Sequence, residues 1–202
     1  TNDSHNSYGE KYRREPYCLH VLMKQKITEI IELPNEISCK YEHSAIICKK
    51  GSIELKKKFN VPKISLSVKD NKIILECKKG NKNDRKQIQT ARAHILNMFS
   101  GLDEKFIYHL EACNVHFPMT FKVEGNKLAI QNFLGEKLPR YAEIRPHVEV
   151  DVKGQKITVS SHDREAAGQT SANFEKATKI KGRDRRIFQD GIFITEKPEE
   201  NK

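Results

Sequence analysis

The chain has 202 residues, with 37 lysines and arginines against 27 aspartates and glutamates, a formal net charge of +10. With 37% hydrophobic and 32% charged residues it can bury cores beneath a highly charged surface, and the cationic excess points to a polyanionic partner while saying nothing of fold. No apolar run approaches the ~20 residues of a membrane helix and residues 1–26 hold no signal-peptide core, so the expectation is a cytosolic protein without membrane contact. The five cysteines (Cys18, Cys39, Cys48, Cys77 and Cys113) are an odd set without close pairing. They are expected to be reduced thiols rather than a disulfide framework.

In chain order, residues 1–26 read as a polar extension in which Lys11, Arg13 and Arg14 lie among Tyr8, Tyr12 and Tyr17. From Ile64 to Glu76 apolar and polar residues alternate, the period of a half-buried strand. Asp70-Asn71 at the middle suits a type I′ turn. That turn sets Val68 opposite Ile73 and Leu66 opposite Leu75, all on one face. A helix is predicted from Asp84 to Gly101. Ile88, Ala91, Ile95, Met98 and Leu102 recur at steps of three and four, Asp84 with Gln87 resembles a capping box, and Gly101 is a stop signal. Cations flank this hairpin: Lys49-Lys50-Gly51 and Lys56-Lys57-Lys58 before it, then Lys78, Lys79, Lys82, Arg85 and Lys86. Phosphate contact and protection of sheet edges both account for them.

The pattern returns 84 residues later. Val148 to Ser160 alternates about Gly154-Gln155, suited to a type II′ turn, which sets Val152 opposite Ile157 and Val150 opposite Val159. Ala45-Ile46 recurs as Ala129-Ile130, and Gly51 as Gly135. Gln89-Thr90 recurs as Gln169-Thr170 inside a second helix, from about Asp163 to Thr178, with Ala167, Thr170, Phe174 and Ala177 inward. A sheet with one apolar face must cover it, and each helix is the available cover. The chain therefore reads as an α+β protein of two tandem duplicated domains, each an antiparallel sheet covered by one long helix. The expected divisions are an extension over 1–26, a first repeat over 27–103, a second repeat over 104–194 and a tail over 195–202.

His109, Cys113 and His116 invite a zinc reading. In a regular strand, however, His109 and Cys113 share a face while His116 points to the other, and Cys39, His43 and Cys48 offer no better set. The same parity separates the two histidines a nuclease would need at one phosphate. No Gly-rich phosphate loop, nucleophile elbow or carboxylate pair occurs. No metal, cofactor or small-molecule substrate is expected. An RNA-processing enzyme using the same basic surface is the competing reading, and it lacks a convergent acid–base set.

The most distinctive stretch runs from Lys179 to Ile194. Lys179, Lys181, Arg183, Arg185 and Arg186, interrupted by Asp184, precede Ile187, Phe188, Ile192, Phe193 and Ile194 around Asp190-Gly191. Guanidinium forks match phosphate oxygens, whereas the second half asks for a core. The arginines are expected on phosphate, and Phe188, Ile192 and Ile194 as anchors to the second repeat. In Asn132 to Tyr141, Gly135 marks a turn carrying Lys137 and Arg140, with Arg145 soon after; this turn also suits a nucleic-acid backbone.

Asn132-Phe-Leu-Gly-Glu-Lys137, His116-Phe-Pro118 and the Arg183-to-Lys197 run containing Phe-Gln-Asp-Gly-Ile-Phe-Ile resemble the universal large-subunit ribosomal protein family called L six in bacteria and archaea and L nine in eukaryotes. The resemblance covers about residues 27–197, and Glu165 to Asn173 is more similar to archaeal than to animal or fungal members. It implies two duplicated α+β domains bound to large-subunit rRNA near the stalk base and the sarcin–ricin loop, among neighbouring ribosomal proteins, with no catalytic role. Carried onto this sequence, it implies rRNA contact by Lys137, Arg140, Lys179, Lys181, Arg183, Arg185 and Arg186. There are departures. Lys50-Gly51-Ser52-Ile53 lacks the proline and second glycine of the family's first-domain turn, Lys176 stands where the family usually has glutamine, and residues 1–26 match nothing in it.

Overall fold

The computed structural model describes residues 25–198 apart from Asn35, residues 60–62, Asp70 and Arg185; residues 1–24 of the expected extension and 199–202 of the tail lie outside this range, while Gln25 and Lys26, expected in the extension, begin the first strand. The first half is β1 (Gln25–Glu32), β2 (Ser38–Glu42), β3 (Ala45–Lys50), β4 (Ile53–Lys58), β5 (Ser65–Lys69), β6 (Lys72–Gly80) and α1 (Lys82–Asp103). The second is β7 (Phe106–Cys113), β8 (Thr120–Glu124), β9 (Lys127–Gln131), β10 (Arg140–Glu143), β11 (Glu149–Lys153), β12 (Lys156–Ser161), α2 (Arg164–Ala177) and β13 (Gly191–Glu196).

The duplication shows strand for strand. Sheets β1-β6-β5 and β2-β3-β4 recur as β7-β12-β11 and β8-β9-β10, with β13 added beyond β7. Each repeat thus holds two antiparallel sheets, where the sequence pattern suggested one. The matched dipeptides explain the second: Ala45-Ile46 and Ala129-Ile130 occupy the middle strands β3 and β9, and all four side chains are fully buried. The expected cross-strand pairs are all present, Val68 with Ile73 and Leu66 with Leu75, Val152 with Ile157 and Val150 with Val159. Gly154 takes φ 62°, the sign a type II′ turn requires at its first central residue. Two apolar clusters follow, one between the first two sheets and α1, the other between the later sheets and α2.

Both helices bury the expected stripe, except that Ala177 at the end of α2 is only half-buried. Ile88, Ala91, Ile95, Met98 and Leu102 are buried on α1, and Ala167, Thr170 and Phe174 on α2, joined by Ser171. The start of α1 differs from expectation. Asn81 is the N-cap and Asp84 is N3, its carboxylate accepting the Asn81 amide at 2.8 Å; Gln87 takes no part in the box. Asp163 caps α2, accepting the Glu165 amide at 2.9 Å.

Gly101 is not a stop. It lies inside α1, buried, and the helix continues to Asp103. A Cβ there would stand 2.0 Å from the His162 carbonyl oxygen, so glycine is required by a close approach between the halves. His162 Nδ1 lies 2.7 Å from the Gly101 carbonyl. Around this contact Arg164 donates to Asn97 at 3.1 Å, and the Glu165 carboxylate meets both Lys57 and His94 Nδ1. Lys50 is likewise engaged, between Asp103 at 2.7 Å and Glu36 at 2.8 Å.

The cysteine expectation is overturned at one pair. Cys39 and Cys48 face each other across β2 and β3 with Cα atoms 4.2 Å apart, and their sulfurs are joined in a disulfide. His43 and Ser44, both with positive φ, form the turn between these strands and place the two cysteines symmetrically about it. Cys77 is a buried thiol and Cys113 an exposed one; Cys18 lies outside the described residues.

Gly101 supplies a test whose sign is informative. In a free helix Gly→Ala stabilises by about 1 kcal/mol. Gly101→Ala is expected instead to destabilise by about 1–3 kcal/mol, because the added methyl overpacks the contact with the residue 162 backbone. Thermal denaturation of the variant reads this directly, and a raised Tm would contradict it.

Candidate nucleic-acid interface

Helix α2 ends at Ala177, and β13 returns the chain to the sheet at Gly191. Residues 179–190 loop out between them. Thr178, almost fully buried, closes the base: its hydroxyl donates to the Phe174 and Glu175 carbonyls and accepts the Ile192 amide at 2.9 Å. Short loops whose ends meet and whose side chains pack on one another are common carriers of function.

The second tie is Asp190, with 2% of its surface exposed. Its Oδ1 accepts the Val115 amide at 2.7 Å and the His116 amide at 3.0 Å, and its Oδ2 meets His116 Nδ1 at 2.7 Å. Burial opposes ionisation, but the His116 amide and ring and the Val115 amide together outweigh it and hold the carboxyl below its ordinary range. This carboxylate fastens the arm to the loop after β7. Above it the His116 ring stacks on Phe188, centroids 4.9 Å apart, and Arg183 lies over the other part of the stack, its Cζ 4.8 Å from the Phe188 centroid.

Asp184, which in sequence only interrupts the cations, shapes the arm. Its carboxylate accepts the Arg186 amide at 2.9 Å, and its carbonyl accepts the amides of Ile187 and Phe188. Lys179, Lys181, Arg183 and Arg186 are exposed on this framework, and Arg185 lies outside the described residues. Between the arm, the end of α2 and β13 runs a groove of about 1120 Å³, bordered by Lys176, Lys179, Ile180, Phe188 and Phe193.

The turn from the Asn132 stretch lies beside the arm. Asn132, Leu134 and Gly135 all take positive φ, a concentration of left-handed backbone that is costly for Leu134. Arg140 locks the turn. It donates through Nε and a terminal nitrogen to the Glu136 carboxylate at 2.7 and 2.6 Å, through its other terminal nitrogen to the Ala177 carbonyl at 2.9 Å, and lies 4.3 Å over the Phe133 ring. Arg140 and the nearby Arg183 together hold the Glu136 carboxyl low, the Arg140 hydrogen bonds being the main cause.

The structure therefore brings Lys137, Lys179, Lys181, Arg183 and Arg186 to one end of the second half. Two residues fall differently. Arg140 has its guanidinium committed within the protein, and Arg145 belongs to the chain leaving β10, its amide donating to Thr170 about two turns back along α2. Phe188 also corrects an expectation. It is half-buried in the Arg183–His116 stack rather than in the core, whereas Ile192 is fully buried and Ile194 packs against the core. His116 does not follow strand parity, because β7 ends at Cys113 and His116 stands in the following loop, tied to Asp190. His109 and Cys113 lie on the outward face of β7. Sequence reasoning missed Asp190 as a clamp. An acid directly before the glycine that starts a strand reads as an ordinary turn, and its partners lie 74 and 75 residues away.

Asp190 yields a pH-dependent prediction. Its folded pKa lies below the ordinary 3.8, so the stability it contributes is complete above about pH 3.8 and is lost as pH falls through the lower folded value. Asp190→Asn should destabilise by about 2–4 kcal/mol at pH 7, since the buried amides lose a charged acceptor. The gap between the two proteins should close below pH 3.8. Thermal melts of both across pH 2–7 check this, and equal stability at pH 7 would contradict it.

Residues 117–191 match the family model described as ribosomal protein L6. The large ribosomal subunit protein uL6 of Methanococcus vannielii is 43% identical over 171 residues, 85% of this chain and 94% of its own. That of Methanosphaera stadtmanae is 43% identical over 175 residues, 86% and 95% of the two chains, and that of Haloarcula marismortui is 38% identical over 168 residues, 83% and 94%. With this agreement over nearly the whole length of those relatives, and with a duplicated sheet-plus-helix fold, the chain belongs to the ribosomal protein L6 family.

Proposed function

We propose that this chain is a structural constituent of the large ribosomal subunit, bound to large-subunit rRNA through the arm of residues 179–186 and Lys137. The observation that carries the reading is the clamped arm. Lys179, Lys181 and Arg186 are exposed and, among the described residues, pair with no carboxylate, while Thr178 and Asp190 fix the ends of the loop that bears them. A preorganised cationic loop binds phosphate without first spending free energy on ordering. Arg185 joins this group by sequence. Arg140 acts as a positioning residue that holds the turn carrying Lys137, and Arg145 contributes at the margin.

On this reading the working units are residues 27–103 and 104–194, the second being the main rRNA-binding unit. The protein sits near the stalk base and the sarcin–ricin loop, among neighbouring ribosomal proteins, in the cytoplasm. No helix among the described residues is long and apolar enough to cross a membrane. Members of the family are structural rather than enzymatic, so the basic surface is not assigned to an RNA-processing activity.

Each phosphate contact contributes about 0.7–0.9 to the slope of log affinity against log salt. Replacing Lys179, Lys181, Arg183 and Arg186 together by alanine should flatten that slope by roughly three units for the full chain on deproteinised large-subunit rRNA. Arg140→Ala should instead lower stability by about 1–2 kcal/mol, through the hydrogen bonds it breaks, with a smaller change in slope. An unchanged slope in the fourfold variant, with the fold intact by thermal melt, would place the contact elsewhere.

A further inference from the structure

The cations of the first half are not absorbed by the arm. Helix α1 has three long faces. One is apolar and buried. A second carries His94 and Asn97 toward the other half. The third carries Lys82, Arg85, Lys86 and Arg92, all exposed and, at 3.6 residues per turn, within about a third of the helix circumference. Lys78 and Lys79, exposed at the end of β6, lie a few residues before the helix start, one on each side of the strand. Among the described residues these six pair with no carboxylate, and neither do Lys40, Lys56, Lys58 and Lys63, whereas Lys49 meets Glu54, Lys50 meets Asp103 and Glu36, and Lys57 meets Glu165; what sets the helix row apart is that its cations share one face. The acids of α1 itself are occupied, Asp84 in the cap and Asp103 on Lys50. Gln89 lies midway across the face, between Arg85, Lys86 and Arg92, and donates to the Glu29 carboxylate of β1 at 2.7 Å, so one acid reaches the row from the sheet.

The duplicate shows that the fold does not need these charges. With the buried stripes matched, Ile88, Ala91 and Ile95 against Ala167, Thr170 and Phe174, helix α2 has Glu165 and Ser171 where α1 has Lys86 and Arg92, and keeps a cation, Arg164, only at the place of Arg85. Helix α2 covers its sheet just as well with the one cation as α1 does with three. A cationic row kept off the ion-pair network, about 15 Å long from Lys82 to Arg92, fits a run of backbone phosphates. We infer that the outer face of α1 is a second RNA-binding surface that grips the phosphate backbone of a large-subunit rRNA segment distinct from the one held by the arm. The inference rests on the reading that this chain binds rRNA.

The test uses the full chain, deproteinised large-subunit rRNA and a salt series. The helix variant replaces Lys82, Arg85, Lys86 and Arg92 by alanine. A dispersed control replaces Lys40, Lys63, Lys127 and Lys156, which are exposed elsewhere. The helix variant should flatten the log–log slope by roughly three units, the control by less than one, and a third protein with Lys82→Arg and Lys86→Arg should keep the parent slope. Melts confirm that all remain folded. If the helix variant matches the control, the face only solvates the helix or meets an acidic protein, and the inference fails. In that outcome a flattened slope in the arm variant leaves the arm reading standing, and no change in either variant defeats both.

Discussion

A single buried carboxylate sets the geometry of the proposed interface. Asp190 gives up solvation and recovers it from two backbone amides and one imidazole, all on the loop after β7. An ionised group so deeply buried persists only when its acceptor capacity is filled. The consequence spreads in both directions along the chain. On one side β13 starts at the correct register against β7. On the other, His116 is oriented to stack on Phe188, which in turn carries Arg183. The cations of the arm therefore stand on a rigid base although they are themselves exposed.

The two halves share a scaffold and differ in where they put charge. Both use the middle strands β3 and β9 to bury an Ala-Ile pair, and both cover their sheets with one amphipathic helix. In the first half the unpaired row lies on the helix; in the second the cations follow it, on a loop closed by β13, which has no equivalent among the described residues of the first half. The halves meet where Gly101 admits the His162 backbone, with Glu165 meeting Lys57 and His94 beside it. Duplication supplied two units, each a pair of sheets with one covering helix, and the added strand and arm make the second copy different in kind.

Much of this was legible in the sequence because it depended on local periodicity. The hairpin registers of Val68–Ile73 and Val152–Ile157 follow from a two-residue turn and a period of two. The buried stripes of both helices follow from a period of 3.6. What was not legible depended on contacts distant in sequence. Gly101 reads as a helix stop until His162 is seen against it, and Asp190 reads as a turn residue until Val115 and His116 arrive. Arg140 resembles Lys137 in composition, but Glu136 and the Ala177 carbonyl consume its donors. The Cys39–Cys48 pair escaped because its turn, His43-Ser44, carries none of the usual glycine or asparagine signals. The symmetric spacing of the cysteines about that turn is the clue a hairpin-first reading would have used.

The central claim is that a loop clamped by Asp190 presents cations to rRNA. A map of the large subunit containing this chain, at a resolution that shows side chains, tests it most directly. The account predicts Lys179, Lys181 and Arg183 within hydrogen-bond distance of rRNA phosphate oxygens, with the Asp190–His116 contact intact beneath them. An arm facing solvent, or an arm on RNA with Asp190 released from Val115 and His116, would contradict it.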